Sequence, residues 1–186
     1  MDLVLASQSP RRSELLAKAG FAFRVRARPV EEVRREGEAA RDYAVRLARA
    51  KAEAAWEGGE EIVLGADTVV VLGEAVLEKP RDASDARAML AALSGREHTV
   101  ITGICLRHTQ GEIVDSDSTE VQFAELEAGE IEAYVASGEP MDKAGAYAIQ
   151  GVASKFVERI EGCYFNVMGL PVPLVYRHWK SLHSGA

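Results

Sequence analysis

The order of apolar and polar positions divides the chain into short elements. Residues 2–6 form an apolar run of strand length, followed by Ser7-Gln8-Ser9-Pro10-Arg11-Arg12 and an apolar stripe at Leu15, Leu16 and Ala19. That order predicts strand, tight loop and helix. Ser9 is a good N-cap, Pro10 suits the first helical position and Gly20 closes the helix. Residues 21–26 alternate as a second strand, and residues 38–57, rich in Ala and Arg, place Ala40, Ala44, Leu47, Ala48 and Ala55 near one face of a second helix. Residues 62–72 are a β-rich apolar run interrupted only by Asp67 and Thr68. Gly73-Glu74 then turns the chain, and Lys79-Pro80 ends a short strand. Asp82 or Ser84 caps a helix that runs to Leu93 and stops at Gly95. Residues 99–106 and 112–123 read as the arms of a long antiparallel hairpin, and residues 126–137 as a helix ending at Gly138. Residues 146–149 and 155–157 read as short strands. Residues 166–182 carry Gly169-Leu170-Pro171-Val172-Pro173 at the start of a final helix. Helices mixed with antiparallel hairpins predict an α/β or α+β fold with a mixed sheet.

Composition narrows this picture. With 186 residues the chain fits one large domain or two closely joined lobes; 47% hydrophobic and 27% charged residues describe an ordinary globular protein. Cys105 and Cys163 have neither C-x-x-C nor metal-ligand spacing, and read as free buried thiols in a reducing compartment. No apolar run reaches membrane-span length, and Asp2 stands where a signal peptide carries basic residues, so no membrane association and a cytoplasmic location are expected. A net charge of −7 argues against a general nucleic-acid surface, so any phosphate must be met by a local cluster.

Three segments carry candidate chemistry. Ser7-x-Ser9-Pro10-Arg11-Arg12 sets two arginines at a helix start, where backbone N–H groups and the helix dipole favour an anion; its bland reading is a capped helix with solvated arginines. Asp67-Thr68 puts a carboxylate inside an apolar run, where it can hold a divalent metal, take a proton from water or simply cap backbone N–H groups. Asp142-Lys143-Ala144-Gly145-Ala146-Tyr147-Ala148-Ile149-Gln150-Gly151 combines charge, glycines and an amide able to read a base edge; its bland reading is a Gly-bounded strand entry. Lys51 lies on the apolar stripe of the second helix and either snorkels to an edge, which position alone favours, or reaches into a cleft. Lys79 would read as a solvated turn lysine were it not so near Asp67 in the expected β-hairpin, Glu31 and Glu32 read as part of a wet charged run, and the four histidines have no ligand-like spacing.

Taken in order, S-x-S-P-R-R, G-A-D-T, K-P, D-K-A-G-A-Y-x-I-Q-G and N-V-x-G-L-P span nearly the whole chain and resemble the Maf family. The resemblance implies a single Maf/ITPase-like domain over residues 1–186: an α/β fold with a mixed, partly antiparallel sheet, flanking helices and two lobes around a central cleft. It also implies Mg2+- or Mn2+-dependent hydrolysis of a nucleoside triphosphate to monophosphate and pyrophosphate. By motif position Asp67 is the carboxylate that accepts the proton from water, and Glu32 and Asp67 are the metal positions. Ser7, Arg12, Lys51, Lys79 and Lys143 line the phosphate path, while Arg11, Thr68 and Gln150 match positions linked to substrate choice. The P-R-R and I-Q-G forms are similar to the subgroup that prefers dTTP and UTP. A homodimer is expected for so small an enzyme. The rival readings are the same chemistry with a purine or methylated-guanine preference, which Arg11 and Gln150 disfavour, and a nucleotide-binding regulator of cell division. Binding alone requires no base, so Asp67 argues against the regulator.

Overall fold

The computed structural model describes residues 2–183. Six helices and seven strands follow in the order β1 (Asp2–Leu5), α1 (Pro10–Lys18), β2 (Phe23–Val25), α2 (Ala40–Ala55), β3 (Glu61–Leu72), β4 (Ala75–Leu77), α3 (Ala83–Leu93), β5 (Glu97–His108), β6 (Gly111–Phe123), α4 (Ala128–Ala136), β7 (Val157–Glu161), α5 (Tyr164–Val167) and α6 (Val172–His183). The strands join one mixed sheet in the order β2-β1-β3-β5-β6-β7, with β4 on β3. β1 is parallel to β2 and to β3; β4 and β7 run antiparallel to β3 and β6. Only Thr109 and Gln110 separate β5 from β6, a connection that antiparallel strands alone can make. The fold is therefore the mixed α/β class that the element pattern predicts. No helix among the described residues is long and apolar enough to cross a membrane.

The chain divides into two compact units, and β3, β5 and β6 each contribute to both. The first takes in the chain up to Thr68, Thr102–Asp117 and everything from Gly169 onward; the second is Val69–Ile101 with Ser118–Met168.

In the first unit the core forms where α2 lies on the sheet. Val4, Ala6, Ala48, Ala52, Ala55, Val63 and Cys105 are buried together, with Trp56 packed against them. The helix face is mostly alanine, and two strand glycines meet it. A Cβ on Gly65 would lie 2.1 Å from the Ala48 carbonyl oxygen, and one on Gly103 2.6 Å from the Ala44 carbonyl carbon. Helix and sheet backbones thus approach more closely than any side chain would allow.

In the second unit the core is aromatic. His98, Phe123 and Tyr147 pack edge to face, and Phe156 links Phe123 to Tyr134. α3 begins at its Asp82 cap, whose carboxylate accepts the Asp85 N–H at 2.8 Å, and its buried face of Ala86, Leu90 and Leu93 packs with α4.

Three local expectations fail. Residues 146–149 are not a strand, because Gly145 (φ 68°) and Ala146 (φ 59°) are both left-handed and turn the chain out of an extended path. Residues 152–156 form a 3-10 turn, so that β7 begins only at Val157, and Tyr164–Val167 is a one-turn helix that too few residues announce. Both cysteines are free, but only Cys105 is buried; Cys163 is half-buried.

Candidate active site

The first unit holds seven of the predicted residues. The period of β3 turns Gly65 and Asp67 toward α2 and Thr68 to the opposite face. Since the missing Cβ of Gly65 brings α2 close, Lys51, one turn beyond Leu47, reaches Asp67. Its amine donates to Asp67 Oδ1 at 2.6 Å and pairs with Glu32 Oε1 at 2.6 Å. Lys51 therefore does not snorkel to an edge. Its side chain is 14% exposed and joins two carboxylates, of which Asp67 is 11% and Glu32 41% exposed. The Glu32 backbone is itself fixed, because its carbonyl accepts the Tyr43 hydroxyl of α2 at 3.1 Å.

Across the strand Arg12 spends its guanidinium on three partners. Nε donates to the Gly169 carbonyl at 2.7 Å, Nη1 to Ser7 Oγ at 3.2 Å and Nη2 to Thr68 Oγ1 at 3.1 Å. Thr68 Oγ1 lies 2.9 Å from Thr102 Oγ1 on β5. Ser7 also accepts the Ser9 N–H at 3.2 Å, so the β1–α1 loop is held by Ser7, whereas Ser9 occupies the cap position without a side-chain bond. Arg11, next in sequence but half-buried, makes no hydrogen bond or ion pair among the described residues.

Burial and charge oppose each other here. Desolvation raises the Asp67 pKa above the ordinary aspartate value, against the pull of Lys51 and Arg12. Burial likewise lowers the Arg12 pKa, against Asp67; a guanidinium remains charged under such a shift. The result is a buried carboxylate bonded to Lys51 and under the electrostatic pull of Arg12, with a second carboxylate sharing Lys51. Such donors fit a hard divalent cation, which takes oxygen ligands and, when it is Mg2+, uses one or two protein carboxylates together with substrate phosphates and water. No group of three His, Cys, Asp or Glu residues with metal-binding geometry forms among the described residues.

The other three predicted residues belong to the second unit. Lys79 and Gln150 are exposed and make no hydrogen bond or ion pair among the described residues. Lys143 is turned onto its own loop, donating to the Glu139 carbonyl at 2.6 Å and to Asp142 Oδ1 at 2.5 Å. Gly145 is obligatory in that loop, since at φ 68° a Cβ would also lie 2.9 Å from the Val70 side chain.

Sequence reasoning missed Thr102 and the Gly169 carbonyl. Thr102 precedes Gly103 in a strand and carries no signal of its own. Gly169 stands in a motif whose glycine was visible, but a carbonyl acceptor cannot be read from a residue name.

Fold and site define a mixed α/β protein whose first unit holds a buried carboxylate bonded to a lysine beside a second carboxylate. The pattern of Maf-like proteins matches residues 2–182, and the chain belongs to the Maf family. It is 54% identical to a dTTP/UTP pyrophosphatase of Koribacter versatilis, over 95% of this chain and 92% of that one. It is 57% identical to one of Anaeromyxobacter sp., over 91% and 84%, and 52% identical to one of Salmonella typhimurium, over 98% and 95%. A solved dITP/XTP pyrophosphatase of Mycobacterium abscessus, with a TM-score of 0.40 and 19% identity over 69% of this chain and 77% of that one, is too distant to bear on the argument.

Proposed function

We propose that this chain is a nucleoside triphosphate pyrophosphatase that hydrolyses dTTP and UTP to the monophosphate and pyrophosphate. The observation that carries the reading is the buried Asp67 carboxylate, bonded to Lys51 and close to Arg12 in charge. Relatives of that activity, more than half identical over nearly the full chain, support the choice of substrate.

Asp67 accepts a proton from the attacking water. As the water oxygen bonds to one of the two phosphorus atoms of the α–β linkage, the bond from that phosphorus to the bridging oxygen breaks and its electron pair departs with the bridging oxygen, on pyrophosphate for α attack or on the monophosphate for β attack. A base in a low-dielectric site is more basic than an exposed aspartate, which brings it nearer the working range of a general base. Lys51, 2.6 Å from Asp67, favours the ionised form of that carboxylate against the desolvation that opposes it. Arg12, fixed by Ser7, Thr68 and the Gly169 carbonyl, presents a positive face at a set position instead of a mobile one. Asp67 and Glu32 would hold Mg2+ or Mn2+, which when bound supplies charge neutralisation on the phosphates. Lys79 and Lys143 are assigned to the phosphates. Arg11, Thr68 and Gln150 are assigned to base and sugar choice, with the exposed Gln150 amide offering both a donor and an acceptor to a pyrimidine edge. A cytoplasmic homodimer acting on free nucleotides, with neither nucleic acid nor membrane as partner, accords with a net charge of −7 and two free cysteines.

Asp67→Asn tests the assignment, because it keeps shape and hydrogen-bonding size while removing the base. Pyrophosphate release should fall by roughly 10²–10⁴-fold while dTTP binding stays within a few-fold of wild type. Turnover near the wild-type rate would remove Asp67 from the chemistry.

A further inference from the structure

We propose that Glu139 is a positioning residue that clamps both ends of the segment from Lys143 to Val152, and through it sets the presentation of Gln150 and Lys143; the inference rests on the roles given to those two residues above. Glu139 stands half-buried at the start of a 3-10 turn, Glu139–Asp142, ahead of that segment. Its backbone carbonyl accepts the Lys143 amine at 2.6 Å, which fixes the near end. Its carboxylate fixes the far end: Oε2 accepts the Val152 N–H at 3.2 Å and Oε1 accepts the Tyr134 hydroxyl at 3.1 Å. The Tyr134 oxygen in turn accepts the Ala148 N–H at 3.3 Å. Gln150 thus lies between two amides, both tied directly or through one buried tyrosine to a single carboxylate.

Two further observations show how closely the segment is built around that carboxylate. A Cβ on Gly151 would lie 1.8 Å from Glu139 Oε1, so the residue after Gln150 has to be glycine for the carboxylate to occupy its place. At the other end Ala146 holds φ 59°, a conformation that an alanine keeps only where its surroundings over-determine it, as at ligand clamps. The Glu139 carboxylate pairs with no Lys or Arg side chain among the described residues. The carboxylate accepts from two neutral donors, the Val152 N–H of the loop and the Tyr134 hydroxyl of α4, and bonds to an ionised acceptor are stronger than neutral ones.

None of the bonds of the clamp uses a residue of the Asp67 group that carries the chemistry, so its removal should act on binding and on choice of base more than on the chemical step. With Glu139→Ala, KM for dTTP should rise about tenfold with kcat within about threefold of wild type, and the preference for dTTP over dCTP and GTP should narrow. Glu139→Gln keeps an acceptor oxygen for Val152, and the Tyr134 hydroxyl can turn to accept from the new amide, so most of the loss should be recovered. Amide hydrogen exchange at Ala148 and Val152 should accelerate in the alanine variant and return toward wild type in the glutamine variant. Unchanged KM and base ranking in a folded Glu139→Ala enzyme would overturn the proposal, as would a uniform fall in kcat with no change in KM. Should the wild-type protein itself release no pyrophosphate from any nucleotide, the substrate reading fails separately, and the exchange rates then decide the clamp: acceleration supports it and unchanged exchange overturns it.

Discussion

At the residue scale, the informative positions are those where a charged or polar side chain is held against its ordinary preference. Asp67, Lys51 and Arg12 are charged groups in a mostly apolar frame, and each is satisfied by the others or by backbone and hydroxyl partners. His98 is a polar residue of a different kind. It is 2% exposed, shares a 2.8 Å hydrogen bond with the Tyr147 hydroxyl, and burial pushes its pKa down from 6.5 to about 4. The folded protein therefore holds a neutral imidazole that the unfolded chain would protonate. Stability is fully present above pH 6.5 and falls as pH drops from there toward 4, by up to roughly 3 kcal/mol from this group alone. Below that the folded form takes up the proton too and the slope disappears. Melting temperatures measured across this window should fall less steeply for His98→Gln than for wild type; parallel slopes would show that His98 does not control the acid sensitivity. Of the residues that matter, Asp67 and Gln150 were legible as chemical types in an unusual setting. Lys51 was not resolved by position, since an amine on an apolar helix stripe looks the same whether it reaches water or a carboxylate. The structure decides for the carboxylates, at 2.6 Å from each.

At the element scale, the placement of the site depends on how closely α2 approaches β3. Apolar periodicity gave the existence of both elements, but the closeness comes from Gly65 and Gly103, glycines inside strands where nothing in a periodic pattern calls for them. A Cβ on Gly65 would meet the Ala48 carbonyl oxygen at 2.1 Å and the Ala52 nitrogen at 2.7 Å, both backbone atoms that cannot turn aside. Gly65→Ala should therefore displace α2, carrying Lys51 away from Asp67. The expected cost is about 3 kcal/mol, a fall in melting temperature on the order of 10 °C, together with loss of turnover. An alanine variant that melts with wild type would mean that the two backbones tolerate the extra methyl group. The elements that pattern reading misplaced fail for a local reason: within residues 144–156 a left-handed pair sits inside the 3-10 turn Ala144–Ala146 and a second 3-10 turn follows at Val152–Phe156, so φ and not hydrophobicity sets the path. The strand expected from the motif in this segment is therefore wrong.

At the scale of the whole molecule, a net charge of −7 has to coexist with a substrate that carries several negative charges. A general positive field is therefore not available to draw the nucleotide in, and affinity must come from placed cations, to which the proposed metal would add. Membership of the Maf family and long matches to dTTP/UTP pyrophosphatases fix the family, while Asp67, Lys51, Glu32 and Arg12 supply the physical account of what such a chain can do. The most direct test of that account is pyrophosphate release from dTTP, UTP, CTP, ATP, GTP and ITP, measured with Mg2+ or Mn2+ and again with chelator. The account predicts release that is fastest for dTTP and UTP and is lost with the metal. Folded protein that releases pyrophosphate from none of these nucleotides with metal present, or that releases it equally well in chelator, would contradict it.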